Sequence, residues 1–144
     1  MGIPSFFSHI VKNHRTIIKK IKDTQKMNNL YLDSNSIIYD CLRSITYTKD
    51  IQFEKELIRE VCLKIDEYIN VIKPDITILI AFDGVAPVAK LEQQRTRRYK
   101  SNLESKIRKQ LNPNDKKSWD TRAITPGTKF MKKLNTYVKK YYHN

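Results

Sequence analysis

Residues 76–84 are ITILIAFDG, a run of β-branched and other apolar residues that ends in an aspartate and a glycine. A segment that is apolar on both faces of an extended chain is typical of a central strand in a parallel sheet with helices on each side. A second run, LYLD at residues 30–33, is also apolar and also ends in an aspartate. The two runs predict strands whose carboxyl ends each carry a carboxylate, where α/β sheets bind their ligands.

Helical periodicity occupies most of the remaining chain. Lys73-Pro74 ends the longest apolar stripe, and Thr125-Pro126-Gly127 is interpreted as the N-cap and first turn of the last helix. Helices are predicted around residues 6–11, from Thr16 to about Lys22, at 37–42 after the polar residues 34–36, at 53–72, from about Val88 to Gln110, and at 130–138. The order of elements predicts an α/β fold with a parallel sheet and right-handed crossovers.

The positive charge of the chain is concentrated in its last part. The 144 residues include 28 Lys and Arg and 15 Asp and Glu, a net charge of +13. Residues 1–85 contain 12 basic and 11 acidic residues, whereas residues 86–144 contain 16 and 4. Such an asymmetry attracts a polyanion, most often nucleic acid. A lysine-rich surface caused by codon bias is the alternative, but that bias would act on both parts equally.

The sequence argues against several other classes of protein. No apolar run approaches the roughly 20 residues of a membrane span, and the first ten residues lack the features of a signal peptide. Cys41 and Cys62 have no CxxC spacing, which disfavours a disulfide scaffold or a zinc cluster and suits a reducing compartment. We therefore expect a protein without a membrane partner, in the cytoplasm, with the nucleus as the second option.

Asp33 and Asp83 are the candidate metal ligands. If the two strands are neighbours, their carboxylates lie within roughly 5–10 Å of each other. Carboxylates at that separation favour a hard divalent ion such as Mg²⁺ or Mn²⁺, which keeps positions open for phosphate. In the alternative, structural interpretation, Asp33 caps the following helix and Asp83 begins an Asp-Gly turn.

The predicted long helix has a basic face. At 100° per residue, Lys90, Gln94, Arg97 and Arg98 fall within an arc of about 100°. Arginine forks bind phosphate through two hydrogen bonds, and a lysine adds a point charge. The alternative is an ordinary solvated helix face. Tyr39, one turn after residues 34–36, is a candidate for stacking on a base.

Four blocks of the chain resemble the Xrn family of 5′-to-3′ exoribonucleases: MGIPSFF at residues 1–7, LYLDSNSII at 30–38, AFDGVAPVAK with QQRTRR at 81–98, and ITPGTKFM at 124–131. The resemblance implies a PIN-like, flap-nuclease-type α/β domain that hydrolyses RNA from a 5′-monophosphate end with Mg²⁺ or Mn²⁺. It implies that Asp33 and Asp83 are catalytic metal ligands or their close supports. Lys90, Gln94, Arg97 and Arg98 would hold the 5′-phosphate, and Tyr39, where the family usually has histidine, would stack on the terminal base.

The family's nuclease region runs hundreds of residues further and supplies more carboxylates. We therefore expect residues 1–144 to be the N-terminal, incomplete part of an Xrn-type nuclease domain, with only part of the metal site. Two alternatives are a catalytically inactive nucleic-acid-binding remnant and one half of a split nuclease that a second polypeptide completes. A DNA flap nuclease is disfavoured, because a phosphate pocket suits a free 5′ end better than a flap junction.

Overall fold

The computed structural model of the chain describes residues 3–20, 26–111 and 119–143. It has an α/β architecture, which confirms the predicted fold class and is consistent with a PIN-like domain. The elements are α1 (Phe6–Asn13), β1 (Asn29–Asp33), α2 (Asn35–Ser44), α3 (Asp50–Ile72), β2 (Thr77–Ala81), α4 (Val88–Leu111) and α5 (Lys129–Tyr142), with short 3₁₀ turns at Arg15–Ile17 and Thr121–Ala123.

The two strands are parallel neighbours, and α2 and α3 form the connection between them. Asn29 lies opposite Thr77 at one end of the ladder, and Asp33 lies opposite Ala81 at the other. The backbone N–H of Ser34 donates to the carbonyl of Ala81 at 2.8 Å, so the pairing extends one residue past β1. The carboxyl ends of both strands therefore meet at the same edge of the sheet.

Only one face of the sheet is packed within the described part of the chain. Leu32 and Ile80 pack against the helical core. On the opposite face, Tyr31 is 64% exposed and Leu79 is 52% exposed. The prediction that β2 is covered on both faces is therefore wrong for these residues. An apolar run indicates which side chains avoid water, but it does not identify the element that covers them.

The core is mainly helical and joins α2, α3 and α5. Phe53 and Leu57 of α3 and Leu134 of α5 are almost completely buried. Trp119, which precedes the second 3₁₀ turn, is buried between two rings, with its ring centroid 5.7 Å from Phe53 and 4.9 Å from Phe130. Burial of each such side chain contributes about 1.5–3 kcal/mol, so these helices support the sheet edge from one side.

Polar contacts also join α5 to α3. Lys133 forms an ion pair with Glu54 at 2.7 Å. The hydroxyl groups of Tyr141 and Tyr142 each lie 2.8 Å from a carboxylate oxygen of Asp66. Burial, together with the hydrogen bond to Asp66, raises the pKa of the Tyr142 phenol. These polar contacts have directional geometry, so they specify how α5 and α3 pair across an otherwise apolar interface.

Two predicted helix boundaries differ from the structure. Helix α5 begins at Lys129, and its N-cap is Thr128, whose hydroxyl accepts the N–H of Met131 at 3.3 Å. The predicted cap at Thr125 is wrong because Gly127 has φ 85°, a left-handed conformation that interrupts a right-handed helix. The helix predicted from Thr16 is a 3₁₀ turn that ends at Ile17. Its predicted end at Lys22 lies outside the described residues.

Candidate functional site

The structure brings Asp33 and Asp83 to the same edge of the sheet. Asp33 is the last residue of β1, and Asp83 follows the end of β2 at Ala81, the residue that pairs with Asp33. Both residues are exposed. The two residues lie together as expected from the sequence, because the adjacent strands pair in parallel.

Asn35 connects the two strand ends. Its side-chain amide Nδ2 donates to Oδ2 of Asp83 at 3.0 Å. Its Oδ1 accepts the backbone N–H of Asp83 at 2.9 Å. Asn35 is the first residue of α2, so the helix that follows Asp33 holds the segment that follows β2. The two hydrogen bonds fix both the backbone and the side chain of Asp83.

The structural interpretation of the two aspartates is not supported. The N-cap residue of α2 is Ser34, whose hydroxyl donates to the carbonyl of Leu32 at 3.4 Å. Among the described residues, the Asp33 side chain has no hydrogen bond or ion pair. Residues 82–87, which include Gly84, contain no turn and lead directly into α4. The Asp33 carboxylate therefore has no structural partner in this part of the chain.

The donor atoms at this edge fit a hard divalent cation in type but not in number. Two exposed carboxylates supply the oxygen ligands that Mg²⁺ and Mn²⁺ prefer. Among the described residues, no group of three His, Cys, Asp or Glu side chains is placed to hold a metal ion. Asp33 and Asp83 would therefore hold a cation whose other positions are filled by water or phosphate.

Two further aspartates of the described part of the chain, Asp40 and Asp120, are engaged elsewhere. Asp40, on α2, forms an ion pair with Arg43 at 2.6 Å. Asp120 accepts hydrogen bonds from both the backbone and the guanidinium of Arg122. Asp115 lies outside the described residues. Neither Asp40 nor Asp120 thus offers a free carboxylate to the sheet edge.

Helix α4 begins shortly after Asp83 and presents the predicted basic face. The N–H of Lys90 donates to the carbonyl of Pro87 at 2.8 Å, which starts the helix. Gln94 is half-buried, whereas Lys90, Arg97 and Arg98 are exposed. None of these cations forms an ion pair with a described carboxylate. The face is therefore free to bind an anion, and the helix dipole favours that anion only near Lys90, in the first turn of α4.

Tyr39 lies on α2, one turn after Asn35, and the residue is 42% exposed. Tyr39 was predicted from the sequence, whereas Asn35 was only one of the polar residues 34–36 before the predicted helix, with no functional role assigned. The signal for Asn35 was its place just after a strand-end aspartate, where a side chain reaches the neighbouring strand end.

A separate shallow groove of about 330 Å³ lies on α1 and contains no carboxylate.

The chain is similar to known proteins over its whole length. The whole chain, residues 1–144, matches the family described as XRN 5′-3′ exonuclease N-terminus. The chain is 36% identical over its full length to 5′-3′ exoribonuclease 1 of Saccharomyces cerevisiae and covers 10% of that protein. It is 33% identical, over 96% of the chain, to the human 5′-3′ exoribonuclease 1, of which it covers 9%.

A relative with a different name is similar to the same extent. The 5′-3′ exoribonuclease 2 of Kluyveromyces lactis is 31% identical over 96% of the chain, which covers 18% of that protein. The chain thus spans less than a fifth of the length of these relatives. No helix among the described residues is long and apolar enough to cross a membrane. The resemblance seen in the sequence is confirmed, and the chain belongs to the XRN 5′-3′ exonuclease N-terminus family.

Proposed function

We propose that this chain forms the 5′-end-binding part of a divalent-metal-dependent 5′-3′ exoribonuclease that acts on single-stranded RNA in the cytoplasm. The relatives it matches are named 5′-3′ exoribonucleases. The observation that carries the proposal is the strand-end arrangement of Asp33, Asn35 and Asp83, followed directly by the unpaired basic face of α4. Carboxylates beside a phosphate-binding face suit phosphodiester hydrolysis.

Asp33 and Asp83 would hold Mg²⁺ or Mn²⁺ at the sheet edge. When bound, the metal supplies positive charge that stabilises the negative charge developing on the phosphodiester oxygens. Asn35 keeps the Asp83 carboxylate in one orientation through the hydrogen bonds at 3.0 and 2.9 Å. The role of this chain is therefore to fix the carboxylates before the substrate arrives.

Lys90, Gln94, Arg97 and Arg98 would hold the terminal 5′-monophosphate. Because these residues lie on the first turns of α4, a phosphate bound to them would be held at a fixed distance from the strand ends. An RNA with a free 5′ end can occupy such a site. Tyr39 would stack on the terminal base, a contact that its exposed ring can make. A tyrosine has no ring nitrogen, so a polar contact made by a histidine would be lost here.

One observation favours a second candidate function. Only two carboxylates meet at the sheet edge within the described residues, and no third metal ligand joins them. That number suits a chain that binds RNA without cleaving it, or one half of a nuclease completed by a second polypeptide. The open face of the sheet around Tyr31 and Leu79 is compatible with such a partner.

The test of the proposed function compares two RNA oligomers that differ only in a 5′-monophosphate or a 5′-hydroxyl group. Fluorescence anisotropy would measure the affinity of the wild type, of the double variant Arg97→Ala and Arg98→Ala, and of the control Lys139→Ala and Lys140→Ala. The control removes the same charge from α5. We expect the wild type and the control to prefer the monophosphate and the α4 variant to lose that preference.

The salt dependence of binding provides a second readout. Each lost phosphate contact should lower the slope of log K against log salt by about 0.7–1 unit. Equal affinity of the wild type for both RNA oligomers would contradict the 5′-phosphate pocket and leave an ordinary solvated basic face.

A further inference from the structure

Helix α4 carries a second set of basic and aromatic side chains away from the proposed phosphate face. Arg95, Tyr99, Asn102 and Lys106 recur at intervals of three, four or seven positions along α4. At 100° per residue they occupy an arc of about 60°, centred about 125° around the helix from the Lys90–Arg98 face. We call these four residues the α4 stripe. From Arg95 to Lys106 the stripe extends about 16 Å.

The exposure of Tyr99 distinguishes the stripe from a packed helix face. Tyr99 is 72% exposed, and among the described residues its ring makes no aromatic contact and its hydroxyl no hydrogen bond. By contrast, Tyr141 of α5 stacks on a neighbouring ring and bonds to Asp66. An aromatic ring left in water between cations is not explained by core packing.

The charges around Tyr99 are also unpaired. Arg95 and Lys106 are exposed and form no ion pair with a described carboxylate. Two acidic residues lie on this helix. Glu92 is one turn before Arg95, and Glu104 is on the opposite side of the helix from Arg95. Neither forms an ion pair with a described residue. A polyanion would therefore bind here without displacing an internal partner.

We propose that the α4 stripe is a second, sequence-independent binding site for single-stranded RNA. Tyr99 stacks on one base, Arg95 and Lys106 contact phosphates on either side of it, and the Asn102 amide offers a hydrogen bond. Stacking aromatics within a positively charged track are the usual means of holding single strands without base selection. The inference rests on the proposed function for RNA as the ligand, but not on recognition of a 5′-monophosphate.

The test uses a 5′-hydroxyl oligouridine, to which a 5′-phosphate pocket contributes nothing. Anisotropy titrations would compare the wild type, Tyr99→Ala, Tyr99→Phe and the double variant Arg95→Ala and Lys106→Ala. Lys100→Ala is the matched control, because it removes one cation from the same helix about 130° away from the stripe. These side chains are exposed, so circular dichroism should show unchanged helix content in every variant.

We expect Tyr99→Ala to bind about fivefold or more weakly and Tyr99→Phe to bind like the wild type, because phenylalanine also stacks. The double variant should lower the salt slope by about 1.4 units, or 0.7 per contact to a single strand. Lys100→Ala should change it by less than half a unit. Wild-type affinity in Tyr99→Ala, or equal losses in Tyr99→Ala and Tyr99→Phe, would overturn the proposal.

The outcomes for the stripe and for the 5′-phosphate pocket are separable. If the stripe proposal fails, the wild type still prefers a 5′-monophosphate. If the pocket fails, the wild type shows no such preference, while Tyr99→Ala still weakens binding to the hydroxyl-ended RNA. Each proposal is thus tested by its own readout.

Discussion

Replacement of Asn35 by alanine should weaken metal binding at the sheet edge without unfolding the protein. Asn35→Ala removes the hydrogen bonds of 3.0 Å to the Asp83 carboxylate and 2.9 Å from the Asp83 N–H. Both bonds are exposed, so each contributes near the low end of the usual range, about 0.5 kcal/mol, and the two together contribute about 1 kcal/mol. If this free energy no longer orients the Asp83 carboxylate toward the metal, Mn²⁺ should bind about fivefold more weakly.

Electron paramagnetic resonance of free Mn²⁺ would measure the affinities of the wild type, Asn35→Ala and Asn70→Ala. Asn70 is an exposed asparagine of α3, so its replacement is a matched deletion away from the sheet edge. We expect a roughly fivefold loss of Mn²⁺ affinity only for Asn35→Ala, at a temperature where urea titrations show all three proteins folded. Superimposable Mn²⁺ curves for the wild type and Asn35→Ala would refute it.

Three further predictions concern the core and the chain as a whole. Tyr142→Phe removes a hydroxyl that is hydrogen-bonded to Asp66, so urea titration should show a free energy of unfolding lower by about 1 kcal/mol. The control Tyr137→Phe loses no described hydrogen bond and should leave the urea midpoint unchanged. Burial and the nearby Asp66 raise the pKa of the Cys62 thiol from 9.0 to about 11. Folding therefore favours the protonated thiol, and the free energy of unfolding should fall as the pH rises from 9 to about 11. In Cys62→Ala this fall should be smaller. Urea titrations that show the same pH dependence for the two proteins would contradict this prediction. With Mn²⁺, residues 1–144 should bind 5′-phosphorylated single-stranded RNA at low salt but degrade it far more slowly than a full-length relative, because two-metal cleavage needs more than two carboxylates. A gel assay would compare the wild type with the double variant Asp33→Ala and Asp83→Ala. Rapid cleavage by the wild type that the double variant abolishes would contradict this prediction.

The strand ends were predictable because they depend on local chemistry. Apolar runs that each finish in an aspartate indicate two strands, and parallel pairing then brings Asp33 and Asp83 to one edge. The basic face of α4 was predictable for the same reason, since helical periodicity alone determines which side chains share a face. The basic face needs no long-range information, whereas the meeting of the two aspartates depended on one long-range condition, that the two strands are neighbours.

The parts that the sequence did not predict depend on contacts between distant residues. Trp119 follows a polar stretch, and its burial between Phe53 and Phe130 depends on how α3 and α5 meet. Asn35 has the composition of a helix cap, and only the register of the two strands places its amide on Asp83. Periodicity also could not show that Leu79 faces an uncovered side of the sheet.

The most direct test of the central claim is whether Asp33 and Asp83 share one metal site. Mn²⁺ titrations would compare the wild type with Asp33→Asn, Asp83→Asn and the double variant, which keep the side-chain shape and remove the charge. A shared site predicts that each single variant loses nearly as much affinity as the double variant, so that the two effects do not add. Additive losses, or single variants that bind like the wild type, would contradict the claim that these two strand-end carboxylates hold one cation.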